Sequence, residues 1–396
     1  MSQFLSSPTC RSCGSSNTQT FYEIGEVPVN SVLLLSTRRE AVGLPTGHIE
    51  LRFCDHCGFI FNALFDLSLV EYSPRCEETQ GHSPSFRNWH ESLARRLVER
   101  YNLRNREILE IGCGKGEFLD LLCTLGGNRG VGFDPAYVEE RSIASRNSRV
   151  EFIPLKYPPE SLRHSADFLC CKMTLEHIHD PAEFIDRVCR SLDKLRDTVV
   201  FLQVPNTMKI LSDLAFWDVY YEHCSYYTGG SLRRLLMERG FEILDTGLEY
   251  ADQYLTIEAR LSKQPARFTT DMPDDLPGLR KAVSRFAEGV PAWLANWHHQ
   301  LRDYRERNLR VVVWGSGSKG VAFLTAVDLD GFIEYVVDIN PHRQGHYMAK
   351  TGQKIVAPDF LRQYSPNVVL VMNAFYRLEI AVEMKRHGVE AQIVTM

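Results

Sequence analysis

Two glycine-rich segments place the strongest constraint on the fold of this 396-residue chain. Residues 110–116 (EIGCGKG) and 315–320 (GSGSKG) each follow a short apolar run and precede a helical pattern. Glycines between a strand and a helix allow a tight turn and a close approach of the backbone to a ligand. An aspartate lies eighteen residues beyond the last glycine of each segment, at Asp134 and Asp338. The chain is therefore predicted to contain two α/β units with parallel sheets.

The alternation of apolar runs and helical patterns supports this division. In the first unit, strands are predicted at 107–111, 130–133, 151–153, 167–171 and 198–204, a helix at 181–192, and two closing strands at 241–244 and 254–261. In the second unit, strands are predicted at 310–314, 331–337, 367–372 and 391–394. Two adjacent strands at the end of the first unit are unlike a plain dinucleotide-binding fold. The polar, proline-rich residues 263–278 are predicted to link the two units.

Four of the eleven cysteines have the spacing of metal ligands. Cys10 and Cys13 form one Cys-x-x-Cys pair, Cys54 and Cys57 form the second, and a glycine follows each pair directly. Four thiolates suit a tetrahedral zinc ion with no open coordination position, so we predict a structural site within a small β module. The alternative is four unrelated buried thiols.

Composition and charge exclude several classes of function. Lys and Arg total 45 against 50 Asp and Glu, a net charge of −5, so no basic excess is available for a nucleic-acid partner. No apolar run approaches the ~18–20 residues that a membrane helix requires, and the first residues lack the pattern of a signal peptide. We expect a cytoplasmic protein that acts on a small molecule without a nucleic-acid or membrane partner. The sequence does not distinguish a monomer from a homodimer.

The residues around the first glycine-rich segment indicate the chemistry of its ligand. An acidic residue before the glycines suits a cationic ligand, and S-adenosylmethionine carries both an ammonium and a sulfonium group. Asp134 ends the next strand, where its carboxylate can accept both ribose hydroxyls. We therefore predict an S-adenosylmethionine site, with a nicotinamide-binding fold as the alternative. The predicted cofactor-binding residues are Glu110, Gly112, Gly114, Gly116, Asp134 and Met173.

Two polar segments carry candidate catalytic residues. Residues 173–180 (MTLEHIHD) follow the fourth strand and place His177 beside the expected cofactor. In the segment 220–223 (YYEH), His223 could take a proton, Glu222 could orient it or raise its basicity, and Tyr220 could hydrogen-bond a developing oxyanion. The alternatives are that His177 only caps the following helix and that 220–223 form an exposed amphipathic turn.

The second glycine-rich segment offers a different chemistry. Ser316, Lys319 and the N-terminus of the following helix would suit an anionic group such as a diphosphate. The segment could equally belong to a scaffold that binds nothing.

Taken in order, these motifs resemble the three-domain nucleotide-sugar C-methyltransferases of deoxysugar biosynthesis over essentially the whole chain. The marks are the paired CxxC, EIGCGKGEFL, LEHIHDP, VYYEHCSYY, and WGSGSKG with a following VVDINPHRQG. The resemblance implies methylation of the carbon beside the ketone of a nucleotide-linked 4-keto-hexose. It places the family's base histidine on His223, its neighbouring glutamate on Glu222, its tyrosine on Tyr220, and the histidine after the fourth strand on His177.

The resemblance also implies the division of the chain. A zinc-binding module at 1–70 would precede a class I methyltransferase (Rossmann-like) domain at 71–262. A linker at 263–278 would lead to a C-terminal Rossmann-like domain at 279–396.

Three segments depart from the family pattern. Where the family has two tyrosines in a YxxxY pattern, this sequence has Tyr72 followed by Cys76, and a thiol cannot replace a phenol. Tyr72 stays a predicted substrate-binding residue. The family's PGT turn and Trp-Asn-Phe are replaced by 348–352 (MAKTG) and 372–376 (MNAFY). These changes leave two alternatives: an O- or N-methyltransferase, and a catalytically inactive nucleotide-binding protein.

Overall fold

The computed structural model describes residues 8–141, 149–157, 166–192, 197–262, 275–327 and 330–396. The strands are β1 (Thr18–Pro28), β2 (Thr46–Cys54), β3 (Ile60–Asn62), β4 (Glu107–Ile111), β5 (Arg129–Phe133), β6 (Val150–Ile153), β7 (Phe168–Lys172), β8 (Val199–Pro205), β9 (Ser225–Tyr226), β10 (Phe241–Glu249), β11 (Tyr254–Leu261), β12 (Val311–Trp314), β13 (Tyr335–Val337), β14 (Lys354–Val356), β15 (Val368–Val371) and β16 (Gln392–Thr395). The α-helices are α1 (Arg38–Val42), α2 (Pro84–Arg100), α3 (Glu117–Gly126), α4 (Pro181–Ser191), α5 (Thr207–Ser212), α6 (Gly229–Met237), α7 (Leu276–Glu306), α8 (Ser318–Val327), α9 (Leu361–Tyr364) and α10 (Arg377–Arg386).

The first sheet is antiparallel and has the strand order β1-β2-β3-β9. Its strand β2 alternates buried and more exposed residues, as a strand with one covered face does. Strand β9 comes from a distant part of the chain and pairs with β3 through Tyr226 and Ser225. The N-terminal segment therefore completes its sheet with two residues that lie just after the predicted base, His223.

The second sheet has seven strands in the order β10-β11-β8-β7-β4-β5-β6. Strands β4 to β8 are parallel, and β11 is antiparallel to both of its neighbours. The central strand β7 is buried along almost its whole length, which explains its continuous apolar run. This is the strand order of a class I methyltransferase, with the two predicted closing strands forming the reversed edge. The predicted fold class is confirmed.

The third sheet is parallel and has the order β14-β13-β12-β15-β16. It is Rossmann-like, as predicted, and it contains one strand that was not predicted, the three-residue β14. The long helix α7 precedes this sheet and begins at Leu276, inside the predicted linker. Most of that linker, 263–274, lies outside the described residues.

A continuous apolar core joins the first and third sheets. It contains Ile49 from β2, Phe216 and Tyr221 from the segment before β9, Phe286 from α7 and Val313 from β12. We keep the division into 1–70, 71–262 and 279–396 as a proposal, with the qualification that β9 belongs to the first sheet.

Within the described ranges, none of the helices combines the length and the apolar character needed to cross a membrane.

Candidate functional site

A cavity of about 1610 Å³ lies among the three sheets. The loop from β4 to α3, the carboxyl end of β7, the segment 220–223 and the loop from β12 to α8 all contribute to its wall. The first two follow parallel strands of the seven-stranded sheet, whose carboxyl ends meet at one edge. The loop from β12 to α8 belongs to the third sheet, so packing between sheets brings it to the same cavity. Predicted site residues on the wall are Tyr72, Glu110, Gly112, Gly114, Asp134, Met173, His177, Tyr220, Glu222, His223 and Lys319.

The first glycine-rich loop adopts backbone conformations in which a residue other than glycine would be strained. Gly112 and Gly116 have positive φ values of 72° and 83°. A Cβ on Gly112 would lie 1.9 Å from Thr174 Oγ1, and one on Gly116 would lie 2.4 Å from the Phe152 ring. The loop is also held by Asp134, whose Oδ2 accepts a hydrogen bond of 2.9 Å from the Gly114 amide. Asp134 therefore fixes the loop in addition to facing the cavity.

The side of the cavity next to this loop is acidic. Glu110 is 2% exposed, and burial raises its pKa to about 7. Its Oε2 has no hydrogen-bond partner among the described residues. Burial also raises the pKa of Asp134. The adjacent cation, Lys115, also lines the cavity, and its Nζ is held by the carbonyl oxygens of Cys76 and Ala136. The unsatisfied carboxyl oxygen of Glu110 suits a cationic ligand.

Lys172 and His90 belong to this wall and were missed from the sequence. Lys172 ends β7, and its Nζ lies 2.7 Å from His90 Nε2. Burial lowers the pKa of Lys172, while the charge of Glu110 acts in the opposite direction. A lysine directly after a buried strand and before Met173, at the edge where ligands bind, was the available signal. Met173 itself has a positive φ of 49°, and its amide donates to the Gln203 carbonyl oxygen at 2.7 Å.

The two predicted histidines lie side by side. The ring centroids of His177 and His223 are 4.8 Å apart in an edge-to-face arrangement. Each ring has a phenol neighbour: Tyr72 Oη lies 3.2 Å from His177 Nδ1, and Tyr220 Oη lies 2.7 Å from His223 Nε2. Burial lowers the pKa of His177 to about 4 and that of His223 well below its usual value. Both rings are therefore neutral near pH 7, as a proton acceptor must be.

The two alternative interpretations, a helix-capping role for His177 and an exposed turn at 220–223, are excluded by the structure. Helix α4 is capped by Asp180, whose side chain accepts from the Glu183 amide at 3.0 Å, so His177 is not the cap. Glu222 and His223 are only 3% and 4% exposed, so 220–223 is not an exposed turn.

Glu222 does not have the contact that was predicted for it. Its Oε1 accepts hydrogen bonds from the Ser31 amide at 2.6 Å and the Ser31 hydroxyl at 2.8 Å. The Ser31 hydroxyl also lies 2.8 Å from the hydroxyl of Ser318 at the start of α8. The carboxyl is therefore used to connect three parts of the molecule, and orienting His223 is not what its hydrogen bonds do. Consecutive side chains diverge from the backbone, which explains why neighbours in sequence need not touch.

Glu176 faces His223 instead. One of its carboxyl oxygens lies 4.0 Å from His223 Nε2. Glu176 is 1% exposed, neither of its oxygens has a hydrogen-bond partner among the described residues, and burial raises its pKa to about 8. Glu176 directly precedes His177 in the segment 173–180, where only the histidine was predicted to be catalytic.

Comparison with known proteins follows the same division of the chain. Residues 85–246 match the family model described as a methyltransferase domain. Residues 278–394 match the model described as a C-methyltransferase C-terminal domain. The chain is therefore similar to methyltransferases over residues 85–246 and to C-methyltransferases over residues 278–394.

Individual proteins are similar to parts of the chain. The chain is 32% identical over 157 residues to the C-methyltransferase NovU of Streptomyces niveus, covering 37% of this chain and 36% of that protein. The aligned part therefore spans about a third of that relative. A probable S-adenosylmethionine-dependent methyltransferase of Mycolicibacterium smegmatis is 28% identical over 204 residues, covering 47% of this chain and 73% of the relative. A solved structure, magnesium protoporphyrin IX methyltransferase of Synechocystis PCC 6803 with bound SAH, has 18% identity and a TM-score of 0.36, covering 45% of this chain and 84% of that one.

Part of the second glycine-rich loop lines the cavity. Lys319 lines the cavity, where its Nζ forms an ion pair with Asp218. Ser316 is buried, and both its amide and its hydroxyl donate to Asp338. The prediction that Ser316 binds substrate is therefore not supported, because its hydrogen bonds are already used to shape the loop. Ser318 lines the cavity, where Ser316 was expected.

Cys76 reaches the cavity wall but cannot act as a second phenol. Its Sγ lies 3.5 Å from the Glu71 carbonyl oxygen, and the residue is 5% exposed. Burial raises the pKa of the thiol to about 12, so it stays protonated. Tyr72 is the phenol that remains in this segment.

The four paired cysteines form one cluster, so they are not four unrelated buried thiols. Their sulfur atoms all lie within 4.8 Å of one another. The Cys10–Cys57 and Cys13–Cys54 sulfur pairs are 3.6 and 3.7 Å apart. A tetrahedral zinc ion with Zn–S bonds of ~2.3 Å requires sulfur separations of about 3.8 Å. Gly14 and Gly58, with φ values of 76° and 74°, form the tight turn after each pair.

Proposed function

We propose that this protein is a C-methyltransferase that transfers a methyl group from S-adenosylmethionine to the carbon beside the ketone of a nucleotide-linked keto-deoxysugar. The observation that carries the proposal is a single cavity of about 1610 Å³. The acidic glycine-rich loop, the His177–His223 pair and the second glycine-rich loop all line it. Methyl donor, proton acceptor and anchor for a long acceptor are thus available on one wall.

The donor end is supported by the residues of the first loop. The orphan oxygen of Glu110 and the carboxyl of Asp134 offer acceptors to an ammonium group and to hydroxyls. The backbone of Gly112 and Gly114 lines the cavity, whereas Gly116, also predicted to bind the cofactor, packs against the Phe152 ring and is not among the residues that line it. When bound there, S-adenosylmethionine supplies an electrophilic methyl group on sulfur. Glu110, Gly112, Gly114, Asp134 and Met173 would hold it.

The catalytic end is supported by the neutral, buried His223. Its imidazole takes the α-proton of the substrate, and the electrons of the C–H bond remain on the substrate as an enolate. The phenol of Tyr220 donates a hydrogen bond to developing negative charge, while His177 and Tyr72 border the same space. With that electron pair the α-carbon would accept the methyl group of the bound donor, and the electrons of the broken carbon–sulfur bond would remain on sulfur.

The anchoring end is supported by the loop from β12 to α8. Lys319 and Ser318 face the cavity at the N-terminus of the ten-residue helix α8. A cation and a helix N-terminus together suit a diphosphate. The Lys319–Asp218 ion pair would open as the phosphate replaces the carboxylate.

The direct test is an assay with S-adenosylmethionine and a panel of nucleotide-linked keto-hexoses. We expect a mass gain of one methyl group, and NMR of the product should place the new methyl on carbon. His223→Asn should lower kcat by about 10²–10⁴-fold, because the proton acceptor is lost. Its affinity for S-adenosylmethionine, measured by calorimetry, should be unchanged. Undiminished turnover by this variant would exclude His223 as the base.

A second candidate is methyl transfer to oxygen or nitrogen of another small metabolite. It is favoured by Cys76, which leaves the cavity with one phenol fewer than the family pattern. A product whose new methyl group resides on a heteroatom would establish it and contradict C-methylation.

We also propose a structural zinc ion bound by Cys10, Cys13, Cys54 and Cys57. The support is the near-tetrahedral spacing of the sulfur atoms. All four ligand positions are taken by protein, so this ion would have no coordination site for a substrate.

A further inference from the structure

The buried carboxyl of Glu176 has no role in the chemistry described so far. Its oxygens lack hydrogen-bond partners among the described residues, and burying such a group is unfavourable unless something compensates. Its backbone is fixed, because the Glu176 carbonyl oxygen accepts from the Cys224 amide at 3.0 Å. The same hydrogen bond fixes the backbone of Cys224, which directly follows His223. The side chain is thereby held 4.0 Å from His223 Nε2.

His223 needs a negative partner when it reacts. A buried neutral imidazole is a weak base, since the charge it acquires has little solvent to stabilise it. Lys319 adds to this, because its charge lowers the pKa of His223 further. Glu222 has its hydrogen bonds to Ser31 and is not placed to help.

We infer that Glu176, rather than Glu222, is the carboxylate that stabilises His223 in its protonated form. Glu176 acts through His223 and is therefore a positioning residue. The proton of the substrate moves to the His223 ring. The resulting imidazolium cation pairs with the Glu176 carboxylate, 4.0 Å from its Nε2. The inference rests on the proposed function for the source of that proton.

Burial determines the pH at which this pair works. Because burial raises the pKa of Glu176 to about 8, the carboxyl is ionised only as the pH rises through that value. Turnover should therefore increase across this range and reach a plateau above it. Other titratable groups around the pair are Tyr72, Cys171, His177, Tyr220, Cys224, Tyr226, Tyr227, Tyr254 and Lys319. Glu222, whose pKa burial raises to about 7, is a further one, and Glu222→Gln therefore separates its titration from that of Glu176.

The first measurement needs no acceptor. In protein with isotope-labelled histidine, the His223 signals, assigned by their loss in His223→Asn, should shift with an inflection near pH 8. We expect Glu176→Gln to remove the inflection and Glu222→Gln, the matched control, to keep it. An inflection that persists in Glu176→Gln would overturn the inference.

The second measurement uses the methylation assay. Glu176→Gln should lower kcat by about 10²-fold, the range for losing support of a general base, with little change in KM. Its pH profile should lose the step near pH 8, whereas Glu222→Gln should keep that step. Glu176→Asp should recover part of the activity. A wild-type kcat and pH profile in Glu176→Gln would refute the role of Glu176. Thermal unfolding and S-adenosylmethionine binding report whether the variants fold.

The two proposals fail in different ways. If the wild-type protein methylates no keto-hexose, the proposed function is wrong, and the NMR inflection still decides whether Glu176 and His223 form a pair.

Discussion

At the scale of single residues, the site is notable for carboxyl groups that burial holds near neutrality. Glu110 and Glu222 have pKa values raised to about 7, and that of Glu176 is raised to about 8. Each has an oxygen without a hydrogen-bond partner among the described residues. Groups held in this way destabilise the fold when ionised, so they indicate binding or catalysis.

Replacing Glu110 should separate stability from binding. Its folded pKa of about 7 lies above the ordinary value of 4.5, so its favourable contribution is complete below the ordinary pKa and is lost as the pH rises through the folded one. Glu110→Gln should thus have a larger free energy of unfolding than wild type at pH 8 without S-adenosylmethionine, and bind that cofactor at least about 10-fold more weakly. Urea unfolding at pH 6 and 8 and calorimetry check this.

The control for that experiment lies on the same strand. Glu107 is partly exposed and forms an ion pair with Arg129, so Glu107→Gln should change stability little at either pH and leave binding intact. Equal behaviour of the two variants would contradict the assignment of Glu110.

At the scale of elements, the loop between β4 and α3 connects sequence to function most directly. Its glycines have left-handed backbone conformations, and two of them have no room for a side chain. The periodicity that predicts β4 and α3 is local, and so is the requirement for glycine between them. This is why both elements and the loop could be predicted from sequence.

An alanine at Gly116 should show how much the loop depends on space as well as conformation. The φ of Gly116 is 83°, and a Cβ there would meet the Phe152 ring at 2.4 Å. Gly388 has a φ of 66°, but a Cβ there meets nothing within 4 Å. Gly388→Ala should cost about 1–2 kcal/mol of unfolding free energy, and Gly116→Ala clearly more, with weaker S-adenosylmethionine binding. Equal losses in urea unfolding would show that the ring moves aside freely.

At the scale of the whole molecule, the cysteine cluster and the catalytic segment share one sheet. Cys54 ends β2, which pairs with β3, and β3 pairs with β9. Strand β9 starts two residues after His223. A disturbance of the cluster therefore has a short path to the base.

Removal of zinc should accordingly lower activity although no ligand faces the substrate. Cys57→Ser, or treatment with a strong chelator, should unfold the N-terminal sheet and reduce turnover at least about 10-fold. Metal analysis together with the methylation assay tests this. Cys189→Ser is the matched control, because Cys189 lies outside the cluster and its Sγ faces the Arg239 carbonyl oxygen. Full activity in the metal-free protein would separate the two sites.

The sequence alone determined what depends on local spacing. Buried runs predicted the strands, paired cysteines predicted the cluster, and a glycine-rich turn with an aspartate eighteen residues later predicted the donor loop. These signals are readable because each records a requirement on neighbouring residues.

Only the tertiary structure decided which side chains meet. Glu222 contacts Ser31, which lies 191 positions away in the chain. Glu176, 47 positions before His223, lies beside the His223 ring, where Glu222 was expected. The same holds for β9, which the sequence assigned to no sheet and packing assigns to the first. Such contacts depend on how sheets pack and where backbones diverge, and no periodicity along the chain encodes them.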